Sequence, residues 1–209
     1  MKKYLFIGLM AVLATSCEKD PDLSKLDNNF TVYTNYDSKT NFNDFKTYCL
    51  PDSILLIGQG MKAEYWKDEN AQEIIKQVAD EMDTRGYTRV KVIKNANIGL
   101  QLSFTRQTTQ IIGTGGWYGG GWYNGWWGPY WNDWYYPYPV TYSYNTGTLI
   151  MEMVNLTDHP EDTSQKVKLP VIWHSYATGL LFENSKYNMQ LTLDAVNQAF
   201  DQSPYIKKS

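Results

Sequence analysis

Histidine and cysteine occur only twice each, at His159, His174, Cys17 and Cys49, and their scarcity narrows the chemistry before any motif is sought. His159 lies in the polar turn Thr157-Asp158-His159-Pro160-Glu161-Asp162, whose carboxylates could attract a cation, but the spacing follows no established ligand pattern. A solvated loop accounts for it better. His174 sits beside Trp173 in a strand-like run, where a sheet-face histidine is expected. Cys49, in Phe45-Lys46-Thr47-Tyr48-Cys49-Leu50, has no neighbouring motif that would activate a thiolate, so a buried, inert thiol is the expectation. There is no Gly-x-Ser-x-Gly elbow. Positive charge is also thin: the formal charge is −3 and the basic residues form no cluster beyond short terminal pairs. That excludes the concentrated basic face that nucleic acid demands. No catalytic residue, metal site, cofactor or nucleic-acid partner is expected, and the chain is not expected to be an enzyme.

What is present begins at the N-terminus. Lys2 and Lys3 precede the apolar run Tyr4 to Val12, which is too short to span a membrane as a helix. Ala14, Thr15 and Ser16 then lead directly to Cys17. This order resembles the lipobox of bacterial lipoproteins, and implies a signal peptide over 1–16 and acylation of Cys17. Several acyl chains on one terminus would give a stable membrane anchor. Residues 17–28 read as a polar tether, and its start, Glu18-Lys19-Asp20-Pro21-Asp22, is similar to the acidic export signal of surface-exposed Bacteroidetes lipoproteins. A Cys17–Cys49 disulfide competes with this reading and is incompatible with acylation of Cys17.

The densest feature is the stretch from Gly113 to Pro139. It holds six of the eight Trp (Trp117, Trp122, Trp126, Trp127, Trp131 and Trp134), six Tyr and eight of the fifteen Gly, with Asp133 as its only charge. Its glycines invite a phosphate-loop reading, which fails because no helix start or Lys follows. Two readings stay open. The rings pack onto their own domain, with the glycines allowing tight turns, or some are exposed and form a contact surface.

Periodicity supplies the frame. Residues 29–36 and 44–50 read as strands, and 52–67 as a long, partly packed loop. Residues 68–85 read as a helix capped by Asp68, with Ile74, Ile75, Val78, Ala79 and Met82 on one stripe and Gly86 as its stop. Val90, Val92 and Ile93 suggest a short strand. Residues 98–109 alternate, with Ile98, Leu100, Leu102 and Phe104 on one face, and 148–156 form their partner, apolar on both sides apart from Glu152. Residues 168–178 add a strand with Val171, Trp173 and Ser175 on one face, and 184–200 close as a helix burying Tyr187, Leu191 and Ala195, with Val196 or Phe200 beside them. Over 29–209 this predicts a single α+β domain: an antiparallel sheet, two helices on one face, and the aromatic stretch as a long hairpin loop.

The order of short motifs resembles a family. Asp37…Phe42, Asp44-Phe45-Lys46-Thr47-Tyr48, Thr84-Arg85-Gly86-Tyr87, Gly147-Thr148-Leu149 and Val171-Ile172-Trp173 follow a lipobox and bracket a Gly/Trp/Tyr loop. This is similar to the DUF4136 family of bacterial envelope lipoproteins over about residues 29–205. Members commonly carry Asp at the start of the strand after the first helix, where this chain has Asn97. The resemblance implies an outer-membrane lipoprotein, periplasmic or surface-exposed, and implies no activity. The expected role is a lipid-anchored interaction or structural module that contacts an envelope protein through 113–139. The alternative is glycan binding by sugars stacking on the Trp and Tyr of that stretch.

Overall fold

Alternation over residues 98–105 and 148–155 builds the centre of the sheet, because each run can bury one side chain set on either face. The computed structural model describes residues 30–57, 64–105, 109–112, 131–138, 141–144, 147–157, 167–180 and 186–208. In chain order its strands are β1 (Thr31–Tyr36), β2 (Thr47–Cys49), β3 (Ile54–Ile57) and β4 (Glu64–Trp66), followed by helix α1 (Glu69–Thr84). Next come β5 (Thr88–Arg89), β6 (Ile98–Thr105), β7 (Thr109–Ile112), β8 (Trp131–Tyr135), β9 (Thr141–Tyr144), β10 (Thr148–Asn155) and β11 (Val167–Thr178), and then helix α2 (Lys186–Asp201).

β6 and β10 pair antiparallel without a slip from Thr105↔Thr148 to Ile98↔Asn155, as the matched alternation requires. β11 pairs antiparallel with the far side of β10. The outer edge of β11 is shared: β1 runs antiparallel along its second half and β8 parallel along its first. The outer edge of β6 is likewise shared by β2 and β3, both parallel to it. The domain is therefore α+β as expected, and its sheet is mixed rather than wholly antiparallel. β7 and β9 form a separate antiparallel ribbon that extends the β6–β10 hairpin.

Both helices cover one face. α1 is capped by the Asp68 side chain, which accepts from the backbone N–H of Ala71 at 3.0 Å. The predicted stripe Ile74, Ile75, Val78, Ala79 and Met82 is buried, and Gly86 ends the helix at φ +91°, a left-handed conformation glycine adopts freely. Leu191, Ala195, Val196 and Phe200 of α2 enter the same core with Leu100, Leu102, Met151 and Met153. The tail after α2 folds back, burying Ile206, and the backbone N–H of Lys208 donates to the Arg85 carbonyl. The cap expected at Asn184 or Ser185, and the side chain of Tyr187, lie outside the described residues.

Three expectations change. Residues 52–67 contain β3 and β4, which form a hairpin on β6, rather than a loop. β3 is buried on both faces, so it reads as a plain apolar run with no alternation to betray it. The short strand after α1 is Thr88–Arg89, and Ile93–Asn95 form a 3-10 turn. In β11, Val171 and Trp173 face opposite sides, because the register with β10 shifts between Met153 and Val154. That irregularity inverts the expected pattern at one point.

Candidate functional site

The sheet face away from the helices is also dry. Cys49, Leu55, Ile57, Ile150, Val154, Leu156, Leu169 and Val171 form a second core there with Trp134 and Tyr136. Polar side chains cross it in one row. Cross-strand register sets Gln101 opposite Glu152, and Glu152 opposite His174. Glu152 and His174 are each 1% exposed and Gln101 is 4% exposed.

The lid on this row is the end of the aromatic stretch. β8 lies beside the start of β11, and the chain continues through Tyr136 and Tyr138. The Tyr136 hydroxyl donates to a Glu152 carboxyl oxygen. The Tyr138 hydroxyl shares a hydrogen bond with His174 Nδ1 at 2.9 Å, and the two rings stack with centroids 5.7 Å apart. Tyr136 meets the same imidazole edge-on. Burial penalises the charged imidazole and pushes its pKa down to about 3. Burial, then the charge of Glu152, pushes the Tyr138 phenol upward. A neutral imidazole and a protonated phenol thus share one proton, well matched to a dry site. A carboxyl beside a histidine invites a catalytic reading. Both side chains are about 1% exposed, and their contacts include these bonds to residues 136–138.

Alternation along this segment buries Trp134 and Tyr136 and leaves Tyr135 at 38% exposure and Pro137 exposed. Beside Tyr135 opens a depression of about 610 Å³. One rim comes from the β1–β2 connection, with Asp37, Asn41 and Asp44; the other carries Asn155 at the end of β10 and Thr157 beyond it. A second depression of about 430 Å³ adjoins Cys49, Asp52 and Arg89. Arg89 is occupied there, donating to Asp52 at 2.9 Å and to the Leu50 carbonyl at 2.8 Å. Cys49 is buried and reduced, and burial pushes its thiol pKa up, so it is a poor nucleophile.

The residues expected from sequence distribute unevenly. Trp117, Trp122, Trp126 and Trp127, together with Cys17, the leader, the tether and His159, lie outside the described residues. The backbone of Trp131 opens β8, and its side chain lies outside the description. Trp134 is 1% exposed in the second core, so it is packing rather than surface, because its position in β8 points at the sheet. Among the described residues, no three His, Cys, Asp or Glu converge as metal ligands, and no helix is long and apolar enough to cross a membrane. Tyr136, Tyr138 and Glu152 were missed as partners of His174. One signal was available: a single carboxyl in a strand that is apolar on both sides needs a buried donor.

The short motifs prove to be joints. Asn97 Oδ1 accepts from the backbone N–H groups of Lys46 and Thr47 at 2.9 and 3.2 Å, tying β2 to the start of β6. An amide oxygen does this as a carboxylate would. The Tyr48 hydroxyl reaches Asp83 at 3.0 Å, and Tyr87 donates to the Phe42 carbonyl at 3.0 Å. Gly147 has φ +74°, and a Cβ there would stand 1.3 Å from the Leu180 carbonyl oxygen. Trp173 donates to Ser203 Oγ at 2.9 Å.

The family model for DUF4136, a domain of unknown function, matches residues 32–205. The chain belongs to the DUF4136 family. A crystal structure of a DUF4136 family protein from Bacteroides thetaiotaomicron is 38% identical, with a TM-score of 0.68, covering 88% of this chain and 100% of that one. A fainter likeness, at 12% identity and a TM-score of 0.40, is to a PelC dodecamer from Paraburkholderia phytofirmans, covering 86% of this chain and 99% of that one. It implies nothing about assembly here. No curated protein matches the chain. What several of these short motifs mark in this chain is a set of joints between elements.

Proposed function

We propose that this DUF4136 protein is a lipid-anchored, non-enzymatic module of the bacterial cell envelope that presents residues 113–130 to an envelope protein. The observation that carries this is the fixing of residues 134–138. Trp134 in the second core, Tyr136 on Glu152 and Tyr138 on His174 clamp one end of the aromatic stretch. The ionisable groups that could have served catalysis are used as fasteners. At the other end, the β7–β9 ribbon continues the central hairpin toward the same stretch. Trp and Tyr concentrated in one segment suit a protein interface, where such rings supply most of the binding energy. The basic start, short apolar run and Ala14-Thr15-Ser16-Cys17 support anchoring through Cys17.

Two experiments test this. The Cys17→Ala variant should lose incorporation of a labelled fatty acid and leave the membrane fraction; retained label would remove the anchor. For the contact, residues 114–130 are replaced by a Gly/Ser linker of equal length, which spares β8 and the clamp. Affinity capture from solubilised envelopes should lose its partner with the replacement, and an unchanged set of partners would count against the aromatic surface.

A further inference from the structure

We propose that the depression beside Tyr135 is a saccharide-binding groove that takes an uncharged pyranose chain. It is separate from the protein contact proposed for residues 113–130 and does not rest on it. Its volume, about 610 Å³, falls within the ordinary range for small-ligand sites, about 300–1,000 Å³. Among the described residues, its lining combines one exposed ring, Tyr135, with polar groups from residues 37–44 and 155–157.

Tyr135 is the ring, at 38% exposure. Its position is stiff for an exposed side chain, because its partner in the parallel β8–β11 pair is Pro170 and Pro137 follows two residues later. A flat apolar face with a polar edge accepts the C–H face of a sugar ring. Asp37 and Asp44 supply acceptors that are already oriented. Asp37 is fixed by the Lys39 backbone N–H at 3.0 Å and the Thr40 hydroxyl at 3.3 Å. Asp44 is fixed by the Asn41 side-chain amide at 2.9 Å. A carboxylate has room for about four hydrogen bonds, so both keep capacity for sugar hydroxyls. Ordering cost on binding is correspondingly reduced.

Charge and polarity decide against other ligands. Among the described residues, two carboxylates and one Lys line the groove, a net charge of −1 (1 − 2), which disfavours phosphates and acidic sugars. The many polar groups along both rims disfavour a lipid or an apolar peptide, which would strand them without partners. A pyranose offers hydroxyls to the carboxylates and a C–H face to Tyr135 at once.

The test is calorimetric titration of the full chain with cellotriose, maltotriose and chitotriose, with polygalacturonate as the anionic arm. These arms separate glucan from aminoglycan sources of the same ring chemistry. At least one neutral trisaccharide should give saturable binding. Tyr135→Ala should weaken it about tenfold, the scale of one lost ring contact. Asp44→Ala should weaken it severalfold. Tyr33→Ala, which removes a partly exposed ring that stacks on Tyr176 and His174 and does not line the groove, should leave sugar affinity unchanged in the folded protein. Tyr135 is exposed, so Tyr135→Ala should melt like the wild type, and Asp44→Ala gives a second route to the same conclusion. Absence of binding to all three trisaccharides, tighter binding of polygalacturonate, or full affinity in Tyr135→Ala would overturn the groove. So would loss of sugar binding on replacement of residues 114–130, which spares the groove. Sugar binding without any captured partner would remove the protein-contact proposal alone.

Discussion

Trp173 and His174 are neighbours in one strand and face opposite sides of the same sheet: the helices on one side, the aromatic segment on the other. Trp173 packs on Phe200 with ring centroids 5.5 Å apart and has one N–H to place, which Ser203 accepts. His174 packs under Tyr138 and Tyr136 and belongs to a row with Glu152 and Gln101. Both are about equally buried. The helix side is held by apolar contact, which tolerates small shifts and depends little on solution conditions. The other side adds to its apolar core directional bonds among titratable groups, which depend on pH and on single hydroxyls. A helix brings its own satisfied backbone to a sheet. A short irregular segment does not, and polar fasteners make up the difference.

Gly147 directly precedes β10, whose side chains feed both cores, and its left-handed turn and the close Leu180 carbonyl leave no space for a side chain. Gly147→Ala should break both at once. The expected loss exceeds about 4 kcal/mol, with little soluble protein recovered and no cooperative melt by circular dichroism. Trp173→Ala attacks the helix side alone and should cost about 3–5 kcal/mol in urea unfolding, with little change between pH 7 and pH 5 beyond that of the wild type.

The polar side is separated from it by pH. His174 has its pKa lowered from 6.5 to about 3 in the folded state, so below about pH 6.5 the unfolded chain binds a proton that the folded one refuses. Stability from this group is complete above pH 6.5 and falls as the pH drops toward 3. Between pH 7 and pH 5 the loss should be about 2 kcal/mol. His174→Gln should flatten that slope by the same amount, and an unchanged slope would mean the imidazole charges in place. The smallest effect is expected for Tyr136→Phe, about 1 kcal/mol globally. Its signature is local: chymotrypsin should cut within residues 131–138 faster while the helix-side core keeps its hydrogen-exchange protection. Equal loosening of both sides would erase the distinction between them.

Much of the frame was legible because it obeys local rules. Asp68, the stripe from Ile74 to Met82 and Gly86 specify α1 without reference to anything distant. Alternation from Ile98 and from Thr148 specifies two strands that face the same cores. β3 was illegible because a strand buried on both faces, Ile54-Leu55-Leu56-Ile57, loses the pattern that announces a strand. The face of Val171 was misread because an irregularity in register cannot be seen in one strand alone. The groove beside Tyr135 was equally hidden. Its rims come from residues 37–44, 135–137 and 155–157, which have no local relation to one another.

The sequence by itself determined the α+β class, α1 with its two ends, the central pairing of β6 with β10, and the family, since each follows from spacing or from order along the chain. Only the tertiary structure decided which buried polar groups meet. Glu152 finds Tyr136, and His174 finds Tyr138, across intervals set by sheet register and by the parallel run of β8 on β11. Hydrogen bonds act over about 3 Å and carry no trace in a one-dimensional pattern, whereas apolar burial repeats with the period of the backbone and is written along it.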